Sequence, residues 1–188
     1  MKIIGLTGSI GAGKSTITQY LAEKGAYIIC ADKIARDVVR PGTPGHKAVK
    51  KEFGDEYFLP DGQLDRKKLG KRVFSDPAAL AKLNAILHPL IAGAIAERIK
   101  RCRKRAVVVS AALLIEAGWD SMADEVWLVR TDDAVRLERL VENKGMSRQE
   151  ALSIMHAQMP QEEKKKHARI VIDNSSTLED LYSRIDAA

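Results

Sequence analysis

The sequence predicts an α/β fold built on a five-stranded parallel sheet, with a helical insertion and a helical lid. Three observations carry that prediction. Five short apolar runs, at 2–7, 26–30, 106–110, 125–129 and 169–172, are separated by stretches with helical periodicity. Helical crossovers of this kind join parallel strands. A glycine-rich turn, Gly8-Ser9-Ile10-Gly11-Ala12-Gly13-Lys14-Ser15 with Thr16 after it, fits G-x-x-x-x-G-K-[ST]. It lies between the first run and a helix. Finally, residues 42–105 contain no convincing strand, so a block of helices interrupts the alternating pattern.

Taken in order, Lys2-Ile3-Ile4-Gly5-Leu6-Thr7 reads as a short buried strand. Ser15 to Lys24 reads as a helix with Ile17, Leu21 and Tyr20 on one face. The second strand, 26–30, leads to Asp32, which reads as the N-cap of a helix from Lys33 to Val39 that Pro41-Gly42 stops. Helices are expected at 44–53, 65–74 and 77–101, with turns at Phe53-Gly54 and Pro60-Asp61-Gly62. Pro89 predicts a kink or break near His88. The third strand, 106–110, is continuously apolar, as in a buried parallel sheet. After the fourth strand, Thr131-Asp132-Asp133 starts a helix to Asn143, with Val135, Leu137, Leu140 and Val141 inward. Arg136 and Arg139 project from it near the carboxyl ends of the strands. Ser147-Arg148-Gln149-Glu150 is a capping box for a helix to Met159, which Pro160 stops. A short charged helix from Gln161 to His167, the fifth strand and a helix at 177–186 complete the chain.

The 188 residues are enough for one α/β domain with a smaller insertion, and 5% aromatic content makes the core mostly aliphatic. A net charge of +6 suits a polyanion, either nucleic acid or a nucleotide. The basic run Glu97 to Arg105 has no aromatic residues between its charges. It reads as the solvated last turns of a helix, so no nucleic-acid partner is expected. Cys30 and Cys102 form neither a disulfide framework nor a metal-ligand pattern. The chain enters a core strand without a signal peptide, and no apolar run approaches the roughly 20 residues of a membrane span. A cytoplasmic protein with no membrane partner is expected, as a monomer or weak homo-oligomer.

The glycine-rich turn carries the chemistry. Glycines let the backbone curl so that successive N–H groups face one anion, and the helix N-terminus adds partial positive charge there. Gly8, Gly11, Ala12, Gly13, Lys14, Ser15 and Thr16 would cradle the phosphates of ATP. Lys14 would reach the β- and γ-phosphates, and the Ser15 hydroxyl would hold Mg²⁺. The plan is that of the P-loop NTPases and nucleoside-monophosphate kinases. Asp32, at the carboxyl end of a strand expected next to the phosphate-loop strand, lies where open α/β sheets bind ligands. It is the candidate base or orienter of an acceptor hydroxyl, a role compatible with capping a helix. His88 could contact a phosphate or simply pack. The hairpin 132–167 reads as a lid that closes over the nucleotide and excludes water.

Larger blocks of sequence go further. Gly5-Leu6-Thr7-Gly8-Ser9-Ile10-Gly11-Ala12-Gly13-Lys14-Ser15 resembles the opening of the dephospho-CoA kinases. So do Ala31-Asp32-Lys33-Ile34-Ala35-Arg36-Asp37-Val38-Val39 with Pro41-Gly42, Phe53-Gly54, Asp61-Gly62-Gln63-Leu64-Asp65-Arg66 with Leu69, and His88-Pro89. Leu113-Leu114 with Glu116, and Ile172 with Asn174, continue the likeness in order along the chain. The resemblance implies transfer of the ATP γ-phosphate to the ribose 3′-hydroxyl of dephospho-CoA, the last step of coenzyme A synthesis. It implies a core (1–31, 106–131, 168–188), a helical CoA-binding domain (32–105) and a lid (132–167). It makes Lys14, Asp32 and Arg139 the catalytic candidates, and Thr7, Asp32, Arg36, Arg66, His88, Leu113 and Glu116 the substrate-binding ones.

The chain departs from the family pattern in three places, one of them before the last strand, where the usual Ala-Asp is Ala168-Arg169. The usual Asp-x-Pro-Leu-Leu-Phe-Glu after the third strand is Ser110-Ala111-Ala112-Leu113-Leu114-Ile115-Glu116. The usual Gln-x-x-Arg-x-x-x-Arg of the lid keeps Arg139 but carries Arg136 for the glutamine and Asn143 for the second arginine. Lost positive charge at a transferred phosphoryl group costs rate, and Arg136, Lys144 or Arg148 could compensate. Two further readings are a kinase for another nucleoside-like acceptor, and a regulatory or structural protein that binds ATP without fast catalysis.

Overall fold

Apolar β-branched runs bury themselves best where both faces of a strand are covered. The computed structural model, which describes residues 1–188 apart from the side chain of Lys144, has five such strands. They are β1 (Lys2–Thr7), β2 (Tyr27–Cys30), β3 (Ala106–Ser110), β4 (Glu125–Arg130) and β5 (Ile170–Asp173). All pair in parallel, in the order β2-β3-β1-β4-β5. Strand β1 is central, paired with β3 in the register Ile4 to Val108 and with β4 in the register Leu6 to Trp127. The strand order reverses at the carboxyl end of β1, the point at which an open α/β sheet forms a ligand crevice.

The helices are α1 (Lys14–Glu23), α2 (Ala31–Asp37), α3 (Pro44–Phe53), α4 (Arg66–Phe74), α5 (Pro77–Arg101), α6 (Asp133–Lys144), α7 (Arg148–His156), α8 (Gln161–Lys165) and α9 (Leu178–Asp186). Two compact units result, residues 1–30 with 101–188 and residues 31–100. In the first, Ile4, Leu6, Val108, Trp127, Val129 and Ile172 of the sheet pack against Ile17 of α1 and Leu181 and Ile185 of α9. Tyr20 stacks on Tyr182 at 4.3 Å between centroids, which joins the same two helices. At the opposite end of the sheet from the glycine-rich turn, the Glu125 carboxylate, 6% exposed, pairs with Lys2 at 2.8 Å and accepts from Trp127 Nε1 at 2.7 Å.

The second unit is helical, with Val39, Val49, Leu69, Val73 and Ala79 at its centre. Thr43 caps α3 by accepting from the His46 N–H, and Asp65 caps α4 by accepting from the Lys68 N–H. One isolated bridge, Phe58 to Leu64, lies within this segment.

Six sequence expectations are corrected. Strand β2 is not beside β1, because β3 pairs between them. Helix α2 begins at Ala31, so Asp32 lies in its first turn and is not its N-cap. The carboxylate still favours the positive end of the helix dipole. Helix α5 runs unbroken through Pro89. Proline leaves the carbonyl four residues back unpaired, and Ala85 and Pro89 are both exposed, so water can take that bond. The same helix is long and apolar enough, by length and composition, to cross a membrane, although no uninterrupted apolar run marks it in the sequence. In α6, Val141 is exposed, and Arg136 is buried beside Leu137 and Leu140 instead. Helix α7 also ends earlier than expected, at His156.

Candidate active site

The glycine-rich turn between β1 and α1 curls because Gly11 and Gly13 sit at φ +80° and +91°, which a residue with a Cβ rarely adopts. A Cβ at Gly13 would collide with the Asn174 side chain. Gly13 occupies the N-cap of α1 and supplies no side-chain acceptor, so the first N–H groups of the helix face outward as an anion site. Lys14 Nζ donates to the Gly8 carbonyl at 2.6 Å, which draws the ammonium across the loop. Ser15 is exposed at the start of α1, and Thr16 is half-buried behind it.

The loop is braced from outside. Its Ala12 carbonyl accepts from Thr131 Oγ1 at 3.0 Å and from Asn174 Nδ2 at 2.8 Å. Thr131 and Asn174 follow β4 and β5 directly, and both are buried. Neither residue is marked as a loop partner by its spacing in the sequence. The available signal was a polar residue placed immediately after each apolar run. Gln158 and Arg136 hold the loop at Ile10, through Gln158 Oε1 at 2.8 Å from the Ile10 N–H and Arg136 Nε at 3.1 Å from its carbonyl.

Arg139, from α6, reaches the same place. Its Nη2 donates to the Asn174 carbonyl at 3.1 Å, and Nη1 lies 3.7 Å from where a Gly13 Cβ would be. Nη1 is buried with no hydrogen-bond partner among the described residues. A buried guanidinium N–H without an acceptor is costly, and a phosphate or carboxylate oxygen would satisfy it. The structure therefore brings Arg139 beside Gly13, and it brings Arg136 to Ile10, where Nη1 is paired with Asp133 at 2.6 Å.

The other candidates fall as follows. Thr7, at the end of β1, is fully buried, and its hydroxyl has no partner among the described residues. Leu113 is 39% exposed. The Glu116 carboxylate is engaged by Lys164 Nζ at 2.7 Å and by the Met159 N–H at 3.3 Å. Lys164 is fully buried and also donates to the Ala112 carbonyl at 2.6 Å. That lysine lies in a short segment read from sequence as merely charged. The side chain of Lys144, a candidate compensating charge, lies outside the described residues.

In the 31–100 unit, Asp32 is exposed at the start of α2. Arg66 donates through Nη2 to the Arg36 carbonyl at 3.2 Å. Burial and the neighbouring Arg36 charge both lower the Arg66 pKa. Two cations left close together suit a shared anion. His88 lies within α5, and burial holds its imidazole below the ordinary histidine range. At neutral pH it is uncharged and offers one ring N–H.

A kinase-type phosphate loop on a parallel sheet is common to many activities, and the whole chain decides between them. The family model described as dephospho-CoA kinase matches residues 2–180. The chain belongs to the dephospho-CoA kinase family. A dephospho-CoA kinase of Geobacter sulfurreducens is 45% identical, over 99% of this chain and 96% of that protein. Among solved structures, TT1252 from Thermus thermophilus superposes with a TM-score of 0.87 at 35% identity, covering 99% of this chain and 95% of that one. A dephospho-CoA kinase from Campylobacter jejuni gives 0.71 at 27% identity, covering 100% and 95%. The five-stranded parallel sheet is thus that of a phosphotransferase family, as the sequence implied. Against that dephospho-CoA kinase background, the departures on α6 have definite places. Arg136 is buried against the loop, and Asn143 is exposed one turn beyond Arg139 on α6.

Proposed function

We propose that this protein transfers the γ-phosphate of ATP to the ribose 3′-hydroxyl of dephospho-CoA. The family match over residues 2–180 is the observation that carries this reading. The braced loop and the unpartnered Arg139 Nη1 beside it support the placement of the ATP phosphates. Residues 8–16 would bind the β- and γ-phosphates, with Lys14 and Arg139 meeting the negative charge. Asp32 would take the proton of the 3′-hydroxyl as its oxygen attacks the γ-phosphorus. The bond from that phosphorus to the β,γ-bridging oxygen breaks in the same step, and ADP leaves. The exposed carboxylate of Asp32, which makes no ion pair among the described residues, suits that role. The Arg36 and Arg66 pair would hold an anionic group of the acceptor, with His88 as a neutral donor, and Leu113 and Glu116 would line the acceptor pocket. Residues 132–167 would close as a lid and keep water from competing with the hydroxyl.

Phosphoryl-transfer kinases use a divalent ion with the nucleotide. Mg²⁺ keeps most of its waters and takes substrate phosphates plus one or two protein oxygens. The exposed Ser15 hydroxyl is an oxygen of that kind, so the residues present fit the ion. When bound, it would neutralise charge between the β- and γ-phosphates.

Titration calorimetry with ATP and with dephospho-CoA, beside a coupled ADP-release assay, tests the proposal. Binding of both with turnover is expected. Turnover only with a different acceptor overturns the substrate assignment, and binding of both without turnover overturns the catalytic one.

A further inference from the structure

Ile10 is held by the lid at every group it has. Its N–H donates to Gln158 Oε1 at 2.8 Å, just beyond α7. Its carbonyl accepts from Arg136 Nε at 3.1 Å, on α6. Its side chain packs on the cluster of Leu137, Leu140 and Ala151 that joins these two helices. Arg136 is 4% exposed and is itself fixed through Asp133. Its backbone carbonyl closes on Gly11, where a Cβ would stand only 3.0 Å away.

The geometry of the peptide group gives these contacts a consequence. In a trans peptide, the carbonyl of one residue and the N–H of the next point in opposite directions. The described residues contain no cis peptides. An Ile10 carbonyl drawn outward by Arg136 therefore turns the Gly11 N–H inward, to the concave side of the loop. The Ala12 carbonyl, drawn outward by Thr131 and Asn174, turns the Gly13 N–H inward in the same way. On the other side of Ile10, Gln158 fixes the preceding peptide, whose Ser9 carbonyl accepts from the Ala12 N–H at 3.1 Å. Glycine at 11 and 13 leaves those peptide planes soft, so their direction has to be imposed from outside.

We infer that Arg136 and Gln158 are positioning residues for ATP: they clamp Ile10 and so orient the Gly11 N–H toward the nucleotide phosphates. The lid hairpin is then a fixed brace for the loop at its base, whatever its far end does. Both act on the nucleotide through Ile10. The inference rests on the proposed ATP site but not on the identity of the acceptor.

The test is the affinity of the full-length protein for ATP, measured by calorimetry, beside its affinity for dephospho-CoA. Gln158→Leu removes the acceptor for the Ile10 N–H, and Gln158→Glu keeps one. Arg136→Met removes the donor to the Ile10 carbonyl, and Arg136→Gln keeps one. Each removing variant should weaken ATP binding about tenfold, in line with the loss of an orienting hydrogen bond, and leave dephospho-CoA binding unchanged. Each conservative variant should stay within about twofold of the parent. Unchanged ATP affinity in a folded Gln158→Leu protein overturns the inference. So does equal loss in Gln158→Leu and Gln158→Glu, or equal loss for both ligands, which a general loosening of the fold would produce. If the buried Arg136→Met variant fails to fold, the half-buried Gln158 pair decides the matter alone. ATP affinity is read without an acceptor, so a wild-type protein that binds ATP but does not phosphorylate dephospho-CoA fails the functional proposal and leaves this test intact.

Discussion

Asp32 and Asn143 carry the sharpest single-residue consequences. Asp32 sits exposed in the first turn of α2, where a carboxylate has two possible uses. If it orients or deprotonates the acceptor, Asp32→Asn should lower kcat by about 10²-fold or more, with ATP affinity barely changed. Steady-state kinetics beside a thermal melt separates this from a structural role, which would lower Tm and spare kcat. Asn143 lies one helical turn from Arg139, exposed, where the family pattern has arginine. A neutral amide cannot offer the planar fork of charged donors that an arginine presents to phosphoryl oxygens. Asn143→Arg should therefore raise kcat, by about tenfold if even part of the usual arginine effect is recovered. An unchanged or lower kcat means that another cation already serves, and single substitutions of Arg139 and Arg148 would identify it. Arg136 has its Nε and Nη1 committed to Ile10 and Asp133, and only its Nη2 is buried without a partner among the described residues.

Among the elements, α8 is short but carries a fully buried ammonium. Lys164 is neutralised by Glu116 at 2.7 Å, which ties this helix to the segment after β3. Breaking a buried pair from one side leaves an uncompensated charge, at a cost of about 3–5 kcal/mol. Glu116→Ala should lose stability of that order in denaturant unfolding, and adding Lys164→Met should recover much of it. A Glu116→Ala protein as stable as the parent would mean that the ammonium is satisfied without its carboxylate. The elements were unequally legible. The strands were readable because each is an apolar run between turn signals. Pro89 misled because its effect depends on which side of α5 meets water, and that is a tertiary fact. The loop contacts of Thr131, Asn174 and Gln158 are not legible in the sequence because their partners lie 119, 162 and 148 residues away. The phosphate loop announces itself by local spacing, whereas its braces have none.

At the scale of the whole molecule, the sheet has a functional end and a structural end. The carboxyl ends of β1, β4 and β5 gather Gly8, Thr131 and Asn174 at the phosphate loop. The amino ends are tied by Glu125, which meets Lys2, Trp127 and, at 3.6 Å, Arg169. The bond from Lys2, with those from Trp127 and the Arg169 charge, holds the Glu125 carboxyl below the ordinary carboxylate range. A depressed folded-state pKa adds stability above the unfolded value of about 4.3 and loses it as pH falls through the folded value. Glu125→Gln should thus be less stable than the parent at pH 7, by about 1.5 kcal/mol. The difference should shrink as pH drops below about 4, with kcat unaffected. A gap that persists into acid would place the effect in packing instead of charge. The central claim, phosphoryl transfer to the ribose of dephospho-CoA, is tested most directly by the product itself. After incubation with ATP, Mg²⁺ and dephospho-CoA, ³¹P spectroscopy should show a new phosphomonoester on the 3′ oxygen, formed in step with ADP. Formation of ADP with inorganic phosphate and no 3′-phosphomonoester would contradict the account.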